Sequence, residues 1–236
     1  MKRLSLVLVA ALLLAACGEE RSSGEGTASL WITRDRGEEV VLTADVPAGV
    51  TAMQALEDEV DVETRFGGRF VQSIDGIEGS LSARRDWFFF VNGIESDRGA
   101  TEYTLQRGDV LWWDYREWGE VMRVPVVVGA FPEPFLHGFE GERRPAAVRY
   151  RSPRVRPAAL AIGRMIRADT IASTSTPAPE GANVFLIEQG ASPRLEASLR
   201  EGSVGPGDPV VFTFVGDPSR LARNPGLVRY RYRWEP

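Results

Sequence analysis

Apolar residues recur along this chain with two different periods. Leu30-Trp-Ile-Thr33 and Glu39–Ala44 are short β-rich runs separated by Arg34-Asp-Arg-Gly37, whose Asp and Gly suit a hairpin turn. In Val50–Val60 the spacing changes: Met53, Ala55, Leu56 and Val60 fall at helical intervals behind Thr51, a good N-cap. This predicts one short amphipathic helix with Glu57, Asp58 and Glu59 on its wet side. Strand patterning then returns in Arg69–Ile74, which leads through Asp75-Gly76 to Ile77. It returns again in Trp87–Val91, closed by Asn92-Gly93, and in Val110–Tyr115, entered through the turn Leu105–Asp109.

Alternation along a strand sends successive side chains to opposite faces. Trp87, Phe89 and Val91 therefore share one face, with Phe88, Phe90 and Asn92 on the other. Leu111, Trp113 and Tyr115 likewise oppose Val110, Trp112 and Asp114. A sheet covered by one helix needs one apolar face, and here both are aromatic. Either the second face packs on another part of the chain, or it forms an apolar cleft that a small ligand fills. In the latter case Asn92, Trp112, Trp113, Asp114, Tyr115 and Trp118 are the candidate ligand-binding residues, since small-molecule sites combine apolar walls with a few fixed polar groups.

The second half has its own pattern. Arg123–Gly129 is β-rich with Pro125 at an edge or start, and Phe131–Gly138 is a stiff Pro-rich loop that could serve as a strap or hold His137 in a site. Ala146–Tyr150, Val184–Ile187, Val210–Val215 and Leu227–Trp234 read as strands, Arg156–Ala168 as a helix, and Ser173–Gly181 as a loop. In the last strand Arg229, Arg231 and Arg233 lie on one side and Tyr230, Tyr232 and Trp234 on the other. Three aligned guanidiniums are a candidate anion site; the simpler explanation is an edge strand made unattractive to aggregation by its charges, which would pair with the acidic first domain.

Charge divides the chain. Residues 18–121 hold 22 acidic groups against 10 arginines, whereas residues 122–236 hold 11 acidic groups against 16 arginines. A sign reversal of this size predicts two domains, at 28–120 and 121–236, and the acidic first one makes nucleic acid a poor partner. One Cys excludes a disulfide framework and Cys-built zinc sites, and one His excludes His-rich metal centres. Neither a metal nor another cofactor is expected. Gly-x-Ser-x-Gly, P-loop and His-Glu-x-x-His patterns are absent, and no Ser or Cys stands beside His137, so the chain reads as a non-enzyme.

Residues 1–16 read as a signal segment, with Lys2 and Arg3 ahead of an apolar run too short to span a bilayer. The run ends Leu14-Ala-Ala-Cys17, which resembles the bacterial lipobox. That resemblance implies cleavage before Cys17, thioether lipidation of its sulfur and acylation of the new N-terminus, enough acyl chains for stable anchoring. Residues 17–27 are then a lipidated flexible tether reaching about 15–20 Å. The expected address is the extracytoplasmic face of a cell membrane, and Gly18 after the cysteine permits outer-membrane sorting where a second membrane exists.

A second resemblance covers about residues 28–118. The helix opening Gly49–Leu56, the run Gly68–Gly76, Trp87-Phe-Phe-Phe-Val-Asn-Gly93, Ala100–Tyr103 and Gly108-Asp-Val-Leu-Trp-Trp-Asp-Tyr115 together resemble a bacterial domain-of-unknown-function family similar to the C-terminal domain of transcobalamin and intrinsic factor. The resemblance implies a small β-grasp-like domain, one helix on a mixed sheet, followed here by a second, unrecognised α+β domain. It also implies binding of a small organic ligand, with cobalamin or a related vitamin as candidates, beside a membrane transporter. The helical barrel that completes the vitamin site in those carriers has no counterpart in this chain, and fold can be kept without function. The alternative is an envelope scaffold or accessory lipoprotein that docks on another protein without a small-molecule ligand.

Overall fold

A computed structural model describes residues 26–236. The signal segment, Cys17 and most of the tether lie outside the described residues. No helix among the described residues is long and apolar enough to cross a membrane.

The fold is α+β. Its first sheet has the order β2-β1-β8-β6-β7, formed by β1 (Thr27–Arg34), β2 (Glu39–Pro47), β6 (Arg85–Val91), β7 (Ile94–Glu95) and β8 (Val110–Glu117). β1 and β8 run parallel at the centre, with Ser29 opposite Val110, and antiparallel neighbours flank them. A parallel central pair between hairpins, with helix α1 (Ala52–Glu57) on one face, is the β-grasp-like arrangement. The small sheet of β3 (Val62–Arg65), β4 (Phe70–Ile74) and β5 (Ile77–Glu78) follows the helix.

Local chemistry accounts for these elements. Thr51 caps α1 through a reciprocal pair, its hydroxyl accepting from Gln54 N while Gln54 Oε1 accepts from Thr51 N. The helix is shorter than the expected 50–60 and ends by residue 57, where Glu57 to Glu59 face water. Met53, Ala55 and Leu56 pack on Leu30, Ile32, Leu111, Trp113 and Tyr115. Asn92 and Gly93 take φ of 53° and 77°, the two positive values that a two-residue hairpin loop requires, and join β6 to β7.

The second sheet has the order β10-β9-β11-β13-β12, from β9 (Ala146–Tyr150), β10 (Thr170–Ser173), β11 (Asn183–Glu188), β12 (Arg194–Leu199) and β13 (Val210–Val215). All neighbours are parallel except β12 on β13. Helix α2 (Arg156–Met165) crosses over between β9 and β10, and α3 (Ser219–Arg223) follows β13. Phe131, Phe135, Phe185 and Phe212 meet in this core, so the Pro-rich loop is buried rather than draped outside. The same loop continues to Phe139, which packs on Tyr103 in the first core.

Two expected strands are not strands. Arg123–Gly129 is irregular, with a single bridge between Val126 and Ile94. Leu227–Trp234 is a one-turn 3-10 helix (Pro225–Val228) followed by turns, and it rejoins a sheet only where Trp234 bridges Leu195. The physical reason is Tyr230, whose φ of 63° interrupts any extended ladder. Side-chain parity survives: Arg229, Arg231 and Arg233 are exposed, while Tyr230, Tyr232 and Trp234 turn inward.

Candidate functional site

The second aromatic face of the first sheet is closed. Phe90, Trp112 and Val127 form a cluster of their own, covered by Trp31, Val124, Tyr230 and Tyr232. Phe90 and Trp112 have no exposed surface. The Tyr232 ring meets Trp112 and Phe90 edge-on at 5.6 and 5.4 Å. Each such ring covers roughly 150–250 Å², which at about 25 cal/mol per Å² is about 4–6 kcal/mol of gross burial apiece. Uncovering the face would therefore cost on the order of 10 kcal/mol or more by the same bookkeeping. This face is an interface. It is not a cleft.

The polar groups beneath it are spent on holding it together. Asp114 accepts from Thr33 Oγ1 (2.5 Å), Tyr232 Oη (2.9 Å) and the backbone N–H groups of Arg36 and Gly37 (3.1 Å each), and Trp112 Nε1 donates to Thr33 Oγ1 (2.7 Å). Burial pushes the Asp114 carboxyl above its ordinary range, and these donors pull the other way. Gly37 admits the C-terminal segment, because a Cβ there would sit 1.6 Å from the Tyr230 carbonyl oxygen. Asn92 is equally committed. Its Nδ2 donates to Asp109 Oδ1 (2.7 Å) and Gly138 O (2.8 Å), and its Oδ1 accepts from Val110 N (2.8 Å). Tyr115 packs on Trp87 in the first core and donates to Glu78 O (2.8 Å); Trp118 is half-buried past the end of β8. Of the six proposed ligand residues, then, Asn92, Trp112, Asp114 and Tyr115 are structural, because alternation exposes an aromatic face without saying what covers it.

A buried cation missed in the sequence completes the joint. Arg116 has no exposed side-chain surface, lies 3.7 Å from the Phe88 ring centre, and donates to the carbonyls of Val121 and Met122 (2.9 Å each) and to Glu95 (3.3 Å). Glu95 also accepts from Val124 N at 2.7 Å. Its only sequence signal was a charge on the inward parity of β8.

The three arginines do not converge. Arg231 and Arg233 line a groove of about 680 Å³ beside Arg36, but Glu38, Glu120 and Glu196 line it too, so no anion-selective field arises. Arg229 lies elsewhere, over the Trp31 ring. His137 is half-exposed. Its Nδ1 lies 2.6 Å from Glu133 Oε1, and Glu133 Oε2 accepts from His137 N (2.9 Å), an i,i+4 brace within the Pro-rich loop. The hydrogen bond to Glu133 raises the imidazole pKa. No group of three or more His, Cys, Asp or Glu placed to hold a metal occurs among the described residues.

An opening does exist on the other side of Phe89. Between β4, the exposed edge of β6 and the loop after β7 lies a pocket of about 210 Å³, with Phe70, Trp87, Phe89 and Trp113 as walls and Ser96 and Arg98 at its rim. Trp113 stacks on Phe89 at 4.8 Å. Its indole Nε1 is buried and has no hydrogen-bond partner, whereas Trp87 Nε1 donates to Ile77 O (2.8 Å). A buried donor left unpaired costs about 1–3 kcal/mol. Trp113 is the one predicted residue that both lines this pocket and keeps a polar atom without a partner among the described residues. Phe70, Phe89, Ser96 and Arg98 were missed because only the fold brings their three segments together.

Residues 49–117 match the family model described as "Domain of unknown function (DUF4430)", which covers 69 of the 236 residues and contains this whole pocket. Among solved structures, haptocorrin in complex with Cbi is 17% identical with a TM-score of 0.35, over 44% of this chain. The chain spans 28% of the haptocorrin chain. A putative metal binding protein from Ruminococcus gnavus is also 17% identical, with a TM-score of 0.33, over 39% of this chain and 98% of that one. No curated protein matches.

Proposed function

We propose that this is a lipid-anchored extracytoplasmic binding protein for a small organic ligand, which it presents to a membrane transporter. The observation that carries this reading is the open pocket walled by Phe70, Trp87, Phe89 and Trp113, the last of which keeps a buried indole N–H without a partner. The lipobox-like Leu14-Ala-Ala-Cys17 and its polar tether supply the anchor and the address. At about 210 Å³ the pocket lies below the usual range of complete small-molecule sites, about 300–1,000 Å³. It suits one planar ring bearing a hydrogen-bond acceptor, stacked between Phe70 and Phe89. A larger ligand, such as a corrinoid or another vitamin, would leave its remainder outside, where the transporter closes over it. The role is binding rather than catalysis.

A thermal-shift screen of corrinoids and other vitamins tests this. A hit raises the melting temperature by mass action, and Trp113→Phe, which keeps the stack and removes the donor, weakens it. A screen in which nothing moves the transition, or a hit indifferent to Trp113→Phe, refutes the site.

One observation favours the docking alternative. Phe66 is 81% exposed at the tip of the β3–β4 hairpin, held at φ 53°, and Leu81 is 80% exposed. The Phe66 ring meets Phe70 edge-on at 6.4 Å and leaves the rest of its apolar surface to solvent. Crosslinking in cells from a photoreactive residue at position 66 distinguishes the readings, since a scaffold traps a specific protein there and a ligand carrier does not.

A further inference from the structure

The second sheet contains an opening of a different kind. β9, β11 and β13 are neighbours and run parallel. From the carboxyl end of β9 the chain leaves through residues 151–155 into α2 and comes back as β10, on one side. From the carboxyl end of β11 it leaves through residues 189–193 toward β12, on the other. Parallel neighbours whose exits diverge leave a crevice above their carboxyl ends, the position at which open sheets of this type hold ligands. Here the crevice has a volume of about 460 Å³, within the range of small-molecule sites. All three strand exits contribute to its lining.

Its charges are arranged in opposition. Arg154, on the β9 side, has neither an ion-pair nor a hydrogen-bond partner for its guanidinium among the described residues. Asp217, on the β13 side, has no cation beside it; its Oδ1 accepts from Ser219 N and Oγ, and its Oδ2 is unengaged among the described residues. Glu188 is already taken, because Arg151 Nη2 lies 3.1 Å from its Oε1. Ile187, Val155 and Ala158 form an apolar floor between the two walls. Strands stand about 4.8 Å apart, so exits two strands apart are separated by about 10 Å. That gap is spanned by a molecule with a charge at each end and an apolar body.

We propose that this crevice binds a dipeptide with apolar side chains, its carboxylate on Arg154 and its ammonium on Asp217. The site is independent of the Trp113 pocket. It lies on the other sheet and outside residues 49–117.

Calorimetric titration of the chain from residue 17, carrying Cys17→Ser, tests it. The probes are leucyl-leucine, its N-acetyl and C-amide derivatives, which each lack one charge, and free leucine, whose two charges sit on one carbon and cannot reach both walls. Saturable binding of leucyl-leucine is expected, with each single-charge derivative and free leucine at least about tenfold weaker. Arg154→Ala and Asp217→Asn should each weaken the zwitterion by about tenfold or more. Both side chains are solvent-facing, so circular dichroism should show unchanged folds, and Trp113→Phe should leave the titration unaltered. Absence of heat from every probe at millimolar concentration overturns the proposal. So does binding that survives both substitutions, or a single-charge derivative or free leucine that binds as tightly as leucyl-leucine. A corrinoid hit that depends on Trp113 alongside a silent crevice would keep the pocket and remove this site.

Discussion

Tyr232→Phe is a single-atom test of how the two sheets are joined. The substitution keeps the ring that covers Trp112 and Phe90 and removes only the hydroxyl that donates to Asp114 Oδ2 at 2.9 Å. Asp114 is fully buried and is left with Thr33 and two backbone donors. A hydrogen bond to a charged group contributes about 1.5–3 kcal/mol, so the variant should lose about that much. For a chain of this size, about 2–4 °C accompanies each kcal/mol, which sets a fall in Tm of about 3–12 °C. The loss should also depend on pH with a definite sign. Asp114 already has a folded pKa above its unfolded value, and removing a donor raises it further. The penalty is therefore full at pH above the folded pKa of Asp114 and shrinks as pH falls through it. Urea unfolding followed by tryptophan fluorescence measures the loss, and a double-mutant cycle with Asp114→Asn isolates the pair. A change below about 0.5 kcal/mol, or a cycle with no coupling, would mean that the C-terminal segment does not seal the first sheet as described.

Three further outcomes follow from other contacts. Trp112→Phe should destabilise more than Trp113→Phe, because Trp112 donates to Thr33 while the Trp113 N–H has no partner to lose; comparing their urea midpoints reverses or upholds that order. Arg116→Met should lower stability by about 3–5 kcal/mol, the usual penalty for stranding a buried charge, here on Glu95, and the double variant Arg116→Met with Glu95→Gln should recover part of it. The folded pKa of His137 is raised, so its pairing with Glu133 stabilises fully below the unfolded imidazole pKa and fades as pH rises through the folded value. NMR titration of this lone imidazole should show the raised pKa, and Glu133→Gln should bring it down.

The first sheet was largely legible in the chain because its signals are local. Thr51 and Gln54 announce the helix start, Asn92-Gly93 announces a hairpin, and alternation assigned Phe90 and Trp112 to one face correctly. The two tyrosines that complete the cover of that face lie more than a hundred positions away, and period-two patterning has no access to such contacts. The same limit explains the reading of Leu227–Trp234 as a strand. The Arg/Tyr alternation is real, but Tyr230 turns the backbone and the tyrosines fill a neighbouring surface instead of a ladder. β12 went unread although Arg194-Leu-Glu-Ala-Ser-Leu199 alternates polar and apolar residues at period two; it is a short edge strand without β-branched or aromatic residues. The pocket beside Trp113 and the crevice above β11 are products of strand order. Neither leaves a trace in spacing.

Translation runs from the amino end, yet both halves are closed by residues 230–234, far along the chain: Tyr230 and Tyr232 cap the first sheet, and Trp234 bridges Leu195 of β12 and stacks on Phe214. Until those residues are made, Phe90 and Trp112 lack the tyrosine part of their cover and keep only Trp31, Val124 and Val127. A chain cut short before Tyr230 therefore displays part of an aromatic surface that residues 230–232 otherwise hide.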